Sequence, residues 1–76
     1  MTRLPAVKPR EVIGALEKAG IVVVRIKGSH HLLVHGGDPA RTTNVQGHGG
    51  HDVSRGTLRA IIKQAALTVD EFITLW

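Results

Sequence analysis

Ile21-Val22-Val23-Val24-Arg25-Ile26-Lys27-Gly28-Ser29-His30-His31-Leu32-Leu33-Val34-His35 is the stretch on which the fold turns. Two β-branched, apolar runs flank Gly28-Ser29, which predicts two antiparallel strands, Ile21 to Lys27 and His30 to His35, joined by a two-residue loop. Gly28 supplies the positive φ that such a loop demands. A loop of that length sets Lys27 directly across from His30 on one face, with Arg25 two positions back on the same face. An imidazole between two cations suits a phosphodiester: the cations hold phosphate and the ring moves a proton. Both strands carry apolar residues on both faces, and the His30 face also holds Leu32 and Val34. The pattern therefore leaves open which face packs on helices.

Working outward, Pro9 starts a helix in which Val12, Ile13, Leu16 and Ala19 share a stripe, and Gly20 stops it. Gly14 weakens that helix by about 1 kcal/mol relative to alanine and is read as permitting close packing on a strand. Beyond the hairpin, Gly36-Gly37-Asp38-Pro39 is a turn, and Arg41 to Val45 a third, more polar strand at the edge of a meander. Gly47-His48-Gly49-Gly50-His51-Asp52 is a glycine-rich loop. Ser54 caps a second helix through about Ala66, with Leu58, Ile61, Ile62 and Ala65 inward and Arg55, Arg59 and Lys63 as a positive ridge. Thr68-Val69-Asp70-Glu71 is a capping box for a last short helix, whose Phe72, Leu75 and Trp76 pack back. The order is α-β-β-β-α with a short extra C-terminal helix. It predicts an α+β two-layer sandwich with the element order of double-stranded-RNA-binding domains.

Seventy-six residues are read as a single domain, 1–76. One Phe and one Trp exclude the aromatic ladders of single-strand platforms. The lack of cysteine excludes disulfides and thiolate metal sites. There is no bilayer-spanning apolar run and no signal-type N-terminus, so the expected location is the cytoplasm. A formal charge of +4 favours a polyanion, either nucleic acid or an acidic protein. The plainer alternative is a basic surface kept for solubility. Five histidines raise the question of zinc. On a strand, however, His31 and His35 stand about 13 Å apart, and His48-x-x-His51 lacks a third ligand. No metal or cofactor is expected. His31 is read as a strand residue facing away from His30, His35 as a strand-end residue, and His51 as solvated.

The residues Arg25-x-Lys27-Gly28-Ser29-His30-His31, Val45-x-x-His48, Gly56-Thr57-Leu58-Arg59-x-Ile61-Ile62-Lys63-Gln64-Ala65 and Glu71-Phe72 together resemble the HicA toxin family of bacterial HicAB toxin–antitoxin systems. The resemblance runs from about Pro9 to Phe72. It implies a fold similar to double-stranded-RNA-binding domains, an mRNA interferase activity, and a HicB-like antitoxin that covers the active site. It also implies that the essential histidine is His30. One departure stands out: the family's Pro-x-His after the third strand is here Gln46-Gly47-His48. On this reading His30 is the general acid/base, and Arg25, Lys27, Ser29, His48, Arg55, Arg59 and Lys63 contact RNA. A free imidazole titrates near pH 6.5, about right for giving or taking a proton at neutral pH. The nucleophile is the 2′-OH, so DNA should not be cut. The alternative is a non-catalytic RNA-binding module of the same fold.

Overall fold

The computed structural model describes residues 4–47 and 50–76. Its elements run α1 (Pro9–Lys18), β1 (Ile21–Lys27), β2 (His30–His35), β3 (Thr42–Gln46), α2 (Arg55–Gln64) and α3 (Val69–Leu75). The strands form one antiparallel sheet in the order β1-β2-β3, so β2 is central. The helices pack on one side of it. This is the expected α+β layering of the double-stranded-RNA-binding type.

Local chemistry accounts for the ends of each helix. Pro9 opens α1, where a missing N–H costs nothing, and the Lys8 N–H donates to Glu11 Oε1 at 3.0 Å. Gly20, at φ +84°, ends the helix as foreseen. Ser54 Oγ accepts from the Thr57 N–H at 3.4 Å at the start of α2, and the Thr68–Glu71 capping box opens α3. Helix α2 is shorter than the sequence suggests, stopping at Gln64 rather than near Ala66. The reason is a left-handed turn at Ala66, φ +57°, whose N–H donates to the Lys63 carbonyl while the Leu67 N–H donates to that of Ile62. That hydrogen-bond pair ordinarily has glycine at the left-handed position, and alanine costs about 1 kcal/mol there.

The core lies between the helices and one sheet face. Ile21, Leu33, Val45 and the polar Thr43 project from the sheet into Val12, Leu16, Leu58, Ile61, Ile62 and Phe72. Leu4 and Val7, ahead of α1, are also buried, and the Val7 carbonyl accepts from the Val53 N–H at 2.8 Å. Thr43 stays satisfied by donating to Gln64 Oε1 at 2.7 Å, which ties β3 to the end of α2. Two local expectations are corrected. Arg41 precedes β3 rather than opening it; its Nε donates to the Ala65 carbonyl at 2.8 Å, closing an orphan acceptor at the α2 C-terminus. Gly14 makes no close approach to a strand, because nothing lies within 4 Å of where its Cβ would stand. Of the C-terminal residues, Phe72 is fully buried. Trp76 is half exposed and donates its indole N–H to Glu11 Oε2 at 2.9 Å. Among the described residues, no helix is long and apolar enough to cross a membrane.

Candidate nucleic-acid interface

The hairpin register holds the key to the site. Ile21 pairs with His35, Val22 with Val34 and Val23 with Leu33. The register then shifts, so that Arg25 pairs with Leu32, Ile26 with His31 and Lys27 with His30. Val24 is the extra residue of a β-bulge. In an unbroken strand Ile21, Val23, Arg25 and Lys27 would all share a face, and Ile21 is fully buried against the helices. The bulge reverses that alternation midway. Arg25 and Lys27 emerge instead on the open side of the sheet, with His30 and Leu32 of β2 and with Asn44 and Gln46 of β3.

The turn completes the arrangement. Gly28 takes φ +59° at the first loop position, and Ser29 has no positive φ, the pattern of a type II′ hairpin. Lys27 and His30 are thus directly opposed, with Cβ atoms about 5 Å apart as in any such pair. Arg25, Lys27, His30, Leu32 and Asn44 line a concavity of about 400 Å³. Its lining brings together two cations, an imidazole, an amide and a leucine. Such a set can receive a phosphate and exchange a proton with it. The face left unassigned by the sequence pattern is therefore the open one. The apolar Leu32 and Val34 on it are half-buried, as residues of an uncovered sheet face are.

The other candidates are distributed around this concavity rather than gathered in it. Ser29 is half-buried in the turn, and its carbonyl accepts the Gly47 N–H at 2.8 Å, binding the hairpin tip to the end of β3. Its part in the turn is therefore clear. His48 lies outside the described residues. Arg55, Arg59 and Lys63 form the expected exposed ridge, but α2 belongs to the layer on the far side of the sheet from His30. Gln46, Ser54 and Thr57 line one shallow recess, so the first turn of α2 comes up beside the end of β3. Arg55 is at that end, while Lys63 is eight residues and about 12 Å further along the helix.

The remaining histidines behave differently. His31 faces away from His30, as expected, and its Nδ1 lies 3.3 Å from the Val45 carbonyl. His35 sits at the strand end, where its Nδ1 accepts from the Gly37 N–H at 3.0 Å. His51 is exposed. Among the described residues, no three His, Asp or Glu side chains converge as a metal-ligand group. The sequence reading missed a second, helix-side groove around His31, of about 380 Å³. The signal for it was the strand alternation that turns His31 away from His30.

Comparison with known proteins identifies a family for the chain. The model of a family described as the HicA toxin of bacterial toxin–antitoxin systems matches residues 9–67. No curated protein matches the chain. The family match begins at the first residue of α1 and ends just before α3, so it takes in the whole hairpin, β3 and α2. The chain belongs to the HicA family of toxins from bacterial toxin–antitoxin systems.

Proposed function

We propose that this toxin is an endoribonuclease that cuts mRNA in the cytoplasm, with His30 as the general acid/base. The observation that carries the reading is the bulge at Val24, which brings Arg25 and Lys27 to the open face where Lys27 opposes His30. Without the bulge both cations would lie on the helix side with Ile21, and bulges recur beside active sites because they re-aim side chains.

The chemistry is a transesterification. His30 takes the proton of the ribose 2′-OH, and the 2′-oxygen forms a new bond to the adjacent phosphorus. The bond from phosphorus to the 5′-oxygen breaks, and that oxygen leaves with a proton returned by the imidazolium. The products are a 2′,3′-cyclic phosphate and a 5′-hydroxyl. Arg25 and Lys27 stabilise the charge that builds on the non-bridging oxygens of the pentavalent transition state. An imidazole flanked by a guanidinium and an ammonium supplies all of these roles. It also lacks the carboxylate oxygens that would hold a hard divalent cation. The proposed step is accordingly metal-independent.

The same face is proposed as the target of a HicB-like antitoxin. An acidic partner surface placed over Arg25 and Lys27 would exclude RNA and be favoured by the net charge of +4. Arg55, at the start of α2, stands nearest the end of β3, and Arg59 and Lys63 continue that ridge along the helix on the other side of the sheet. Induced expression of the wild type and of His30→Ala, both confirmed folded, tests the reading. Growth arrest by the wild type alone, with cyclic-phosphate ends on cut transcripts, is the expected result. Arrest by both proteins would point to a non-catalytic RNA-binding module instead.

A further inference from the structure

We infer that the groove around His31, on the opposite side of the sheet from His30, takes a nucleobase of the same RNA strand whose phosphate lies at His30. The inference rests on the reading of this chain as an RNA-cleaving toxin and assigns that site a second pocket.

The groove is lined by Lys8, Pro9, Arg10, Ile13, His31 and Gly47, and its volume of about 380 Å³ is at the small end of ligand pockets. Pro9 and Ile13 make apolar walls suited to a flat heterocycle. His31 provides the polar contact. A carbonyl only accepts, so the Val45 carbonyl, 3.3 Å away, selects the tautomer with hydrogen on Nδ1. In the neutral ring Nε2 is then the acceptor, matched to an N–H on a base edge. Lys8 is already engaged, in an ion pair with Asp52 Oδ1 at 2.9 Å and in a hydrogen bond to the Gly50 carbonyl. Arg10 is exposed at the rim, where it suits the phosphate that accompanies a base.

The two pockets lie on opposite sides of one strand. His30 and His31 are consecutive, so their Cα atoms are about 3.8 Å apart while their rings point to opposite faces. Gln46, paired with His30 on the open face, lines a recess with Pro9, Ser54 and Thr57, and Pro9 in turn lines the His31 groove. On this inference the RNA strand runs past Gln46 and Pro9 between the two sites and sets a base beside His31. Gly47 lines the groove without a side chain. A Cβ there would stand 3.6 Å from His31 Cε1 and 3.9 Å from Pro9 Cβ, and anything longer would enter the groove. The chain is poor in aromatic residues, with one Phe and one Trp, yet a base still finds a confined site.

The test is a nuclear magnetic resonance titration of the His30→Ala protein with AMP, CMP, GMP and UMP, and with ribose 5-phosphate as the base-free control. The nucleotides should shift Ile13, His31 and Gly47 as well as Arg10, with one base preferred, and ribose 5-phosphate should shift Arg10 at most. Adding His31→Ala should weaken nucleotide binding about tenfold. His31→Gln should recover part of it, because its amide can serve the Val45 carbonyl and still offer an acceptor. Gly47→Leu should weaken binding while leaving His31 in place, which covers the case in which His31→Ala misfolds. In the His30-intact protein, His31→Ala should redistribute cleavage among sequences without abolishing it. Shifts confined to Arg25, Lys27 and their neighbours on the open face, or shifts of Ile13, His31 and Gly47 that ribose 5-phosphate reproduces, would overturn the inference. So would an unchanged cleavage map. A wild type that cuts no RNA would instead remove the endoribonuclease reading, and the nucleotide titration would still decide whether the groove binds a base.

Discussion

Two adjacent histidines on one strand are placed in opposite surroundings. His30 opens onto an uncovered sheet face among cations, while His31 is half-buried on the helix side with one ring nitrogen committed to a carbonyl. The same division separates Leu32 from Leu33, and Arg25 and Lys27 from Ile21 and Val23. Side-chain chemistry alone assigns no role to either imidazole. The difference comes from which layer of the sandwich each one faces, and on β1 that depends on one extra residue.

The largest effect should fall on activity. His30→Ala should abolish RNA cleavage and growth arrest while changing stability by less than about 0.5 kcal/mol, because its side chain is exposed. His31→Ala should instead cost about 1 kcal/mol in denaturant unfolding, for its hydrogen bond, and leave cleavage measurable. Equal losses of activity in both variants would erase the distinction between the faces.

Next comes the leucine pair. Leu33→Ala empties a fully buried site and should destabilise by about 3 kcal/mol, whereas Leu32→Ala, on the open face, should cost less than half as much. Chemical denaturation of both variants measures the contrast directly. A sharper test removes Val24. Without it, regular alternation already sends Arg25 and Lys27 to the open face, so the deletion should keep cleavage and change stability by no more than about 1 kcal/mol. A deletion that unfolds the protein would show that the bulge carries strain or packing beyond re-aiming these side chains.

Smaller effects separate charges. Arg25→Ala and Lys27→Ala should each lower the slope of log affinity against log salt for single-stranded RNA by about 0.7. Lys63→Ala, at the far end of the α2 ridge, should change it less. The smallest effect concerns acid. Glu11 is held below the usual carboxylate range, first by the Lys8 backbone N–H and second by the Trp76 indole. Because its folded pKa is the lower one, its contribution is fully present above the ordinary glutamate range and fades as pH falls through the folded value. Fluorescence of Trp76, the sole tryptophan, should report undocking on acidification, and Glu11→Gln should flatten that transition.

Much of this molecule is legible in its sequence because its punctuation is local. Pro9, Gly20, Ser54 and the Thr68–Glu71 pair each satisfy or free a backbone group within one turn, so helix starts and stops follow from short spacings. Ala66 is where that legibility fails: an alanine in a left-handed turn carries no signal, and the helix ends early. Arg41 is a second case, since its partner, the Ala65 carbonyl, is distant in sequence. The opposition of Lys27 and His30 was legible for the same local reason, as a two-residue loop leaves no other pairing.

The sequence by itself determined the six elements in outline, the hairpin and the residues that meet across it. The tertiary structure decided which side of that hairpin is covered. Ile21, Val22, Val23, Val24 and Ile26 offer apolar side chains to either face, so binary patterning has no preference. Only packing α1, α2 and α3 over Ile21, Leu33 and Val45, with Val24 bulged out of register, settles the choice. Burial of one face is a sum over distant contacts, and that sum is what placed His30 in the open and His31 beneath the helices.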